Sequence, residues 1–399
     1  MTKIKVAIIE FDYHAEVLRN TLHILRQPGI DVTVFTSIKI WEQVNWQEQD
    51  YFQLYLKEDE ISLNKFLGLH LKTLNQNHIV LFNTIASNYK TWSELKITGA
   101  TVLRIHNANT YFNPLIKTFK PKLTPFYVWK DSSHFARKTI GEFDWYYRKK
   151  LMNQVDHFAF PGSQITSYVT NNFAVPLEKA WTLPFGYWNK PKTYRGNNPD
   201  KIKISVIGKV DQRNRDYKVV VDAISNLMPY LRESNKHLEL VLLGKANTSY
   251  GVRIINGLKE MTSNNFSITY FSGFVPQSEF DQHIAESDFF IIPTRIKTRY
   301  TIYEEFYGYT KISGSINDVI KYHKPALINE SYPLDRDIKD MFVSYSNSTD
   351  LADKIILWIE SETYKQIDSI VALSSYRLDQ MQKTYRNTLN HILQRQTTH

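Results

Sequence analysis

The stretch Tyr307-Gly-Tyr-Thr-Lys-Ile-Ser-Gly-Ser-Ile-Asn-Asp-Val-Ile-Lys-Tyr-His-Lys-Pro325 decides how this chain is read. Its first half sets the cap-type residues Thr310, Ser313 and Ser315 around Gly314, where the backbone can approach a ligand closely. Its second half, Ile316–Tyr322, reads as a helix with Ile316, Val319 and Ile320 on one face. Pro325 then opens the apolar run Ala326–Ile328. A helix that starts directly after such a loop offers free N–H groups and a partial positive charge, which suits a diphosphate. Lys311 adds a full charge there, and Asp318, about one turn into the helix, can accept from ribose hydroxyls. The same residues also read as a capped helix with ordinary surface charge. They are not a Walker loop, because the Gly-x4-Gly-Lys-Ser/Thr spacing is absent.

Working outward, short apolar runs alternate with longer amphipathic stretches, which is the pattern of βαβ units on a parallel sheet. Downstream and just upstream the expected strands are Ile202–Ile207, Leu238–Leu243, Ser267–Phe271, Phe289–Ile292, Ala326–Ile328 and a weaker Phe342–Tyr345. Tyr217–Leu227, Gln277–Ala285 and Asp350–Ile359 read as helices. In the first half the runs are Val6–Phe11, Val32–Phe35, Ile79–Phe82, Thr101–Ile105, Phe158–Phe160 and Trp181–Phe185, with a helix over Glu16–Arg26. Between the halves, Asn189–Asp200 is rich in Pro, Gly and Asn and reads as a linker. The expected architecture is therefore α/β, with two Rossmann-like, doubly wound domains facing a central cleft. Residues 1–188 form an acceptor-binding domain, 189–200 the linker, and 201–361 a nucleotide-sugar-binding domain. Residues 362–399 form a helical segment that packs back on the N-terminal domain. Ligands of such folds bind outside the carboxyl ends of the strands.

Composition narrows the chemistry. The 399 residues suit two domains, and a hydrophobic fraction of 42% gives each a core. With no cysteine there is no disulfide, thiolate metal site or Cys nucleophile. The N-terminus runs straight into a strand without a signal-peptide pattern, and no apolar run approaches about 18 residues. A cytoplasmic protein is expected. The net charge of +9 is uneven: residues 101–150 hold ten Lys or Arg against three acids. Within them, Lys117–Lys138 interleaves cations with Phe119, Phe126, Tyr127, Trp129 and Phe135. That segment reads either as a basic loop over buried aromatics or as a peripheral contact with an anionic membrane carrying a lipid-linked acceptor. No nucleic-acid-binding motif accompanies it, and no nucleic-acid partner is expected.

Several landmarks of the C-terminal half fall in one order. They are Ile207-Gly208-Lys209 after the first strand, Arg215 eight residues before Ala223, Val241-Leu-Leu-Gly244, Phe271-Ser-Gly-Phe274-Val275 and Ile292-Pro-Thr294, followed by the helix that ends at Lys324-Pro325. In this order the half resembles GT-B glycosyltransferases, especially glycosyltransferase family 4 (group 1). The resemblance spans roughly residues 200–360 and is only architectural over 1–190. It implies that a nucleotide-diphosphate sugar is held by Gly208, Lys209, Arg213, Arg215, Gly244, the backbone of Phe274 and Val275, and Tyr309, Thr310, Lys311, Ser313, Gly314, Ser315 and Asp318. There is one departure. The family's pair of glutamates in an E-x7-E spacing falls here on Thr310 and Asp318, so the first is not acidic, and Glu304 or Glu305 reaches that place only through a loop of different length.

The implied reaction is transfer of a sugar to a glycan or glycolipid acceptor, as in bacterial surface polysaccharide synthesis. Basic side chains and a helix terminus would stabilise the leaving diphosphate, with Lys209 and Arg215 placed for catalysis. No metal or cofactor is expected. Asp335-Arg-Asp337 matches an Asp-x-Asp metal motif on paper but follows Pro333 where a helix start is expected. On the acceptor side, Glu10-Phe-Asp-Tyr-His14 and Arg104-Ile-His-Asn-Ala-Asn109 each follow a strand. They offer Asp12 and His106 as bases, or His106 as a contact to the donor sugar, and His14 and Asn107 as acceptor contacts. The family resemblance favours a retaining outcome. A non-catalytic sugar-binding scaffold and a nucleotide-sugar epimerase remain the alternatives.

Overall fold

The computed structural model describes residues 3–113, 132–133, 136, 143–189, 200–300, 303–367 and 369–396. The aromatic and basic stretch Lys117–Lys138, apart from Ser132, Ser133 and Ala136, lies outside the described residues, as does the linker body 190–199.

Two parallel sheets carry the fold. β1 (Ile4–Glu10), β2 (Ile30–Ser37), β3 (Phe52–Lys57), β4 (Ile79–Thr84), β5 (Ala100–Arg104), β6 (His157–Phe160) and β7 (Ala180–Thr182) form a seven-stranded sheet ordered β3-β2-β1-β4-β5-β6-β7. In the second half come β8 (Lys201–Ile207), β9 (His237–Lys245), β10 (Phe266–Phe271), β11 (Phe289–Ile292), β12 (Lys297–Tyr300), β13 (Tyr303–Phe306), β14 (Ala326–Asn329) and β15 (Phe342–Tyr345). Six of them form a sheet ordered β10-β9-β8-β11-β14-β15, while β12 and β13 pair separately as an antiparallel hairpin. Parallel strands covered on both faces need continuous apolar runs, and β4 is buried at every position. Both sheets reverse their order beside the first strand, between β1 and β4 and between β8 and β11. A crevice opens at such switch points.

Three strands, β3 and the two of a hairpin, depart from the sequence expectation. β3 is a half-exposed edge strand, Phe-Gln-Leu-Tyr-Leu-Lys, whose single partner is β2, so it lacks the apolar run of a central strand. The hairpin β12–β13 carries Lys297, Arg299, Glu304 and Glu305 and belongs to neither main sheet.

The last helix, Leu378–Gln396, buries Met381, Tyr385, Leu389 and Ile392 in one cluster with Leu18, Leu22 and Leu25 of the helix Ala15–Leu25. Two backbone hydrogen bonds guide it there: Trp188 N donates to Tyr376 O at 3.0 Å and Leu378 N to Trp188 O at 2.8 Å. The chain thus returns beside the start of the linker and ends on the N-terminal sheet. Among the described residues no helix is long and apolar enough to cross a membrane.

Candidate active site

The C-terminal half of the site is built over the end of β8. Gly208 has φ of 106°, and a Cβ there would run into the Arg215 guanidinium. A Cβ on Gly244 would run into the Gly208 backbone, so only glycine fits at either turn. Arg215 Nε donates to Ile207 O at 2.9 Å, and its Nη2 reaches Ser315 Oγ at 3.4 Å. Ser315 Oγ in turn donates to Ile207 O at 3.3 Å. The guanidinium therefore sits beside the first turn of the helix Gly314–Tyr322. No side chain caps that helix: Ser313 stands at its N-cap in extended conformation without a cap bond. Lys311 lies just before it, with its ammonium 4.9 Å from the Tyr307 ring centroid. Burial pushes the Lys311 pKa down, and the Glu305 carboxylate opposes that.

The N-terminal half faces it. His14 follows β1 and His106 follows β5, and their rings stack at 3.8 Å between centroids, 4° from parallel. His106 Nε2 lies 2.8 Å from Asn83 O. A carbonyl only accepts, so Nε2 carries the proton and Nδ1 the lone pair. Burial, then His14, drives the His106 pKa far below the usual histidine range. His14 is pushed down to about 4 by burial, then by Lys311 and Arg104. Two neutral rings thus stand near a cation.

Beneath the pair lies a charged network that motif reading did not reach. Glu10, fully buried, accepts from Asp12 N at 2.8 Å, Tyr13 N at 3.2 Å, Asn83 Nδ2 at 2.6 Å and Thr84 Oγ1 at 2.7 Å. Burial nevertheless raises its pKa. Arg104, also fully buried, donates to Thr21 Oγ1, Asn83 Oδ1 and Tyr385 OH. The signal in the sequence was a glutamate closing an otherwise apolar strand, Val-Ala-Ile-Ile-Glu.

Between the halves runs a cleft of about 630 Å³. His14, His106 and Asn107 line it from one side and Lys311, Gly314 and Asn317 from the other. Asn107 Oδ1 is buried and has no donor among the described residues. At one end stand Asp144 and Arg148, 3.8 Å apart, with Arg148 Nη1 donating to the Tyr303 hydroxyl at 2.6 Å.

Other expected residues are elsewhere. Asp12 does not line the cleft: it accepts from Ala86 N at 2.9 Å and Ser87 Oγ at 3.4 Å, bracing the loop after β4, so its place as a base is corrected. Thr310 is also corrected as a ligand contact. It is fully buried, with Phe306 N donating to its Oγ1 at 2.7 Å and Ala108 N to its carbonyl at 2.8 Å. The carboxylate near that place is Glu305, buried and bonded to the backbone N–H groups of Asn109 and Thr110, while Glu304 pairs with Lys297 at 3.0 Å. Lys209 and Arg213 are exposed on the loop after β8, and neither they nor the half-buried Arg215 line the cleft itself. Phe274 is 86% exposed, Val275 is buried, and Tyr309 packs on Tyr168 with centroids 5.8 Å apart. Ser313 is buried with its N–H on Tyr332 OH at 3.3 Å. Asp318 is pushed up to about 8, first by burial and then by Glu16, so its carboxyl is mostly protonated at neutral pH. Asp335 accepts from Ser163 Oγ at 2.7 Å and Gln164 N at 2.8 Å, so it caps the start of the helix Ser163–Asn172. Among the described residues no cluster of three His, Cys, Asp or Glu has metal-binding geometry.

The histidine pair gives a pH signature. His14 titrates near 6.5 when unfolded and near 4 when folded, so the unfolded chain binds the extra proton between these values. Its cost is absent above pH 6.5 and grows as pH falls towards 4, to about 2–3 kcal/mol. The Asp318 carboxyl, raised instead of lowered, runs the opposite way over pH 3.8 to 8. A difference measurement separates the two. His14→Gln should show a shallower loss of urea-denaturation stability from pH 6.5 to 4.5 than the wild type, and parallel curves would refute the assignment.

No family model matches the chain, and no curated protein matches it in sequence. Solved structures do match in three dimensions. HepE of Anabaena, in complex with UDP, aligns over 98% of this chain and 100% of its own at a TM-score of 0.62 and 11% identity. TarM aligns over 98% and 99% at 0.60 and 9% identity. The pneumococcal O-GlcNAc transferase GtfA, in complex with UDP and GlcNAc, aligns over 98% and 100% at 0.59 and 9% identity. Together with the two switch-point sheets facing one cleft, these full-length alignments define the fold as GT-B. At such identities the likeness concerns architecture, and the activity has to be argued from the site.

Proposed function

We propose that this chain is a glycosyltransferase that moves a sugar from a nucleotide-diphosphate donor to a glycan or lipid-linked glycan acceptor, as in bacterial surface polysaccharide synthesis. The observation that carries this is the uncapped start of the helix Gly314–Tyr322, with Arg215 and Lys311 beside it and the His14–His106 pair across the cleft. A helix terminus and two cations fit a diphosphate, and UDP is the proposed nucleotide because HepE and GtfA were both solved with it.

In the proposed step the bond from the anomeric carbon to the diphosphate oxygen breaks and a bond to the acceptor oxygen forms. The charge left on the diphosphate falls on Lys311, Arg215 and the helix N–H groups, which are in place beforehand. His106, with Nε2–H fixed on Asn83 O, offers Nδ1 as an acceptor toward a sugar hydroxyl. Asp12 does not line the cleft, and the resemblance to glycosyltransferase family 4 favours the retaining course, in which the acceptor proton passes to the leaving diphosphate oxygen. No metal enters the proposal, so activity should survive EDTA. Residence in the cytoplasm at an anionic membrane surface completes this reading.

Calorimetry with UDP and with uridine tests it. Lys311→Ala should weaken UDP by about 10- to 100-fold, the worth of a charge-assisted contact, and leave uridine unchanged. Equal losses for both ligands, or no UDP binding by the wild type, would defeat the phosphate site. Thr310, buried where the resemblance to glycosyltransferase family 4 implies a glutamate, favours one second reading, a non-catalytic donor binder. That reading predicts UDP-sugar binding with no turnover of any donor.

A further inference from the structure

A second chamber follows the first along the same two helices. On the helix Ala15–Leu25, Glu16 and Val17 line the chamber already described, and Arg19 and His23 line a second one of about 620 Å³. On the facing helix Gly314–Tyr322 the same succession leads from Asn317 in the first chamber to Lys321 in the second. The two chambers thus follow one another along the seam between helices of different domains. The step from Asn317 to Lys321 is about 6 Å along a helix axis, close to the length of one pyranose ring.

The walls of the second chamber differ from those of the first. The Trp46 ring stands 4.7 Å from His23, and His23 stands 5.9 Å from Tyr187, so three rings form one side. Burial, aided by Arg19 and Arg26, pushes His23 down to about 4 and keeps its ring neutral. Amides from Gln47 and Gln277 supply donors and acceptors. The lining charges balance, Arg19 and Lys321 against Glu48 and Asp281, with Lys321 3.9 Å from Asp281 and Glu48 also paired with Arg26 outside the lining. Ring faces suit the C–H faces of sugars, amides suit their hydroxyls, and matched charge gives an anion no advantage.

We propose that this second chamber is an acceptor subsite for a neutral oligosaccharide whose terminal residue lies beside His106. The acceptor is then a glycan chain of two or more sugars. This rests on the transferase reading above, and the test separates the two.

The probes are chitotetraose, maltotetraose, cellotetraose and mannotetraose, each against its own monosaccharide. Binding to the full chain saturated with UDP is followed by ligand-observed NMR. At least one tetrasaccharide should bind about tenfold or more tightly than its monosaccharide. That gain should vanish in Trp46→Ala and in Gln47→Trp, while UDP affinity stays unchanged. Trp46 also packs on Tyr51 and Phe52, so Trp46→Ala alone is exposed to a folding defect. Gln47 is exposed and lines the chamber, so a tryptophan there adds bulk at its wall without replacing a core residue. If no tetrasaccharide outbinds its monosaccharide, or if Gln47→Trp keeps the gain, the subsite is refuted. UDP binding alone would sink this inference and leave the transferase reading standing. Chamber-dependent tetrasaccharide binding in a chain that ignores UDP would do the reverse.

Discussion

Arg104→Ala should lower the unfolding free energy by about 3–5 kcal/mol, the range for removing one partner from a buried charged network. Arg104 has no exposed surface. Its guanidinium is shared by three acceptors: Thr21 on the helix Ala15–Leu25, Asn83 at the end of β4, and Tyr385 on the last helix. It also stands over the Phe185 and Tyr385 rings at 5.4 and 5.8 Å. Asn83 passes the interaction on, because its amide nitrogen donates to Glu10 while its oxygen takes the Arg104 bond. Truncation therefore leaves the buried Asn83 amide oxygen without its donor as well as opening a cavity. Arg104→Lys should recover little, since one ammonium cannot span three acceptors that a planar fork reaches together. Tyr385→Phe, which removes one member only, should lose about 1 kcal/mol. Urea denaturation decides: a loss under about 1 kcal/mol for Arg104→Ala would mean that the network contributes far less than its burial implies.

The two sheets were legible because parallel strands buried on both faces write themselves as unbroken apolar runs, as in Ile79–Phe82 and Phe289–Ile292. β3 escaped because an edge strand needs only a half-buried face. Within the site, Lys311, Gly314, His14, His106 and Asn107 do meet in one cleft. Local patterns pointed to them because each lies just past a strand or at a helix start. Glu10 and Arg104 were not legible as a pair of anchors. Among their partners are Asn83, 73 residues from Glu10, and Tyr385, 281 residues from Arg104, and the one local signal, a glutamate closing an apolar strand, does not name them. Asp12 shows the converse. It has the right place after β1, but the loop Ala86–Ser87 supplies donors that turn its carboxylate aside. The E-x7-E spacing points to Thr310, and spacing cannot see the hairpin β12–β13 that brings Glu305 to that neighbourhood.

That hairpin carries the second large effect. Glu305 crosses from the C-terminal half to the N-terminal one, where its Oε1 accepts from Thr110 N at 2.8 Å and Thr110 Oγ1 at 2.7 Å, and its Oε2 from Asn109 N at 3.3 Å. Thr310 adds a fourth bond from its own side of the interface. The carboxylate has no exposed surface, and burial raises its pKa despite these donors. Glu305→Ala leaves three N-terminal donors facing a cavity, so stability should fall by about 3 kcal/mol. Glu305→Gln keeps one oxygen for Thr110 and removes a charge that burial already disfavours, so its loss should be nearer about 1 kcal/mol. The ordering, with the alanine variant clearly worse than the glutamine variant, is what separates a hydrogen-bonded brace from a plain ion pair. Under an ion-pair account with Lys311 both variants would lose the charge and fall together. The two variants should also differ in turnover, because the same hairpin holds Tyr303 against Arg148 at the end of the cleft. Loss of the brace frees that wall, while UDP binding at Arg215 and the helix start should change less than turnover does. Stability within about 0.5 kcal/mol of wild type in Glu305→Ala would show that the hairpin is held to the N-terminal domain by something other than this carboxylate.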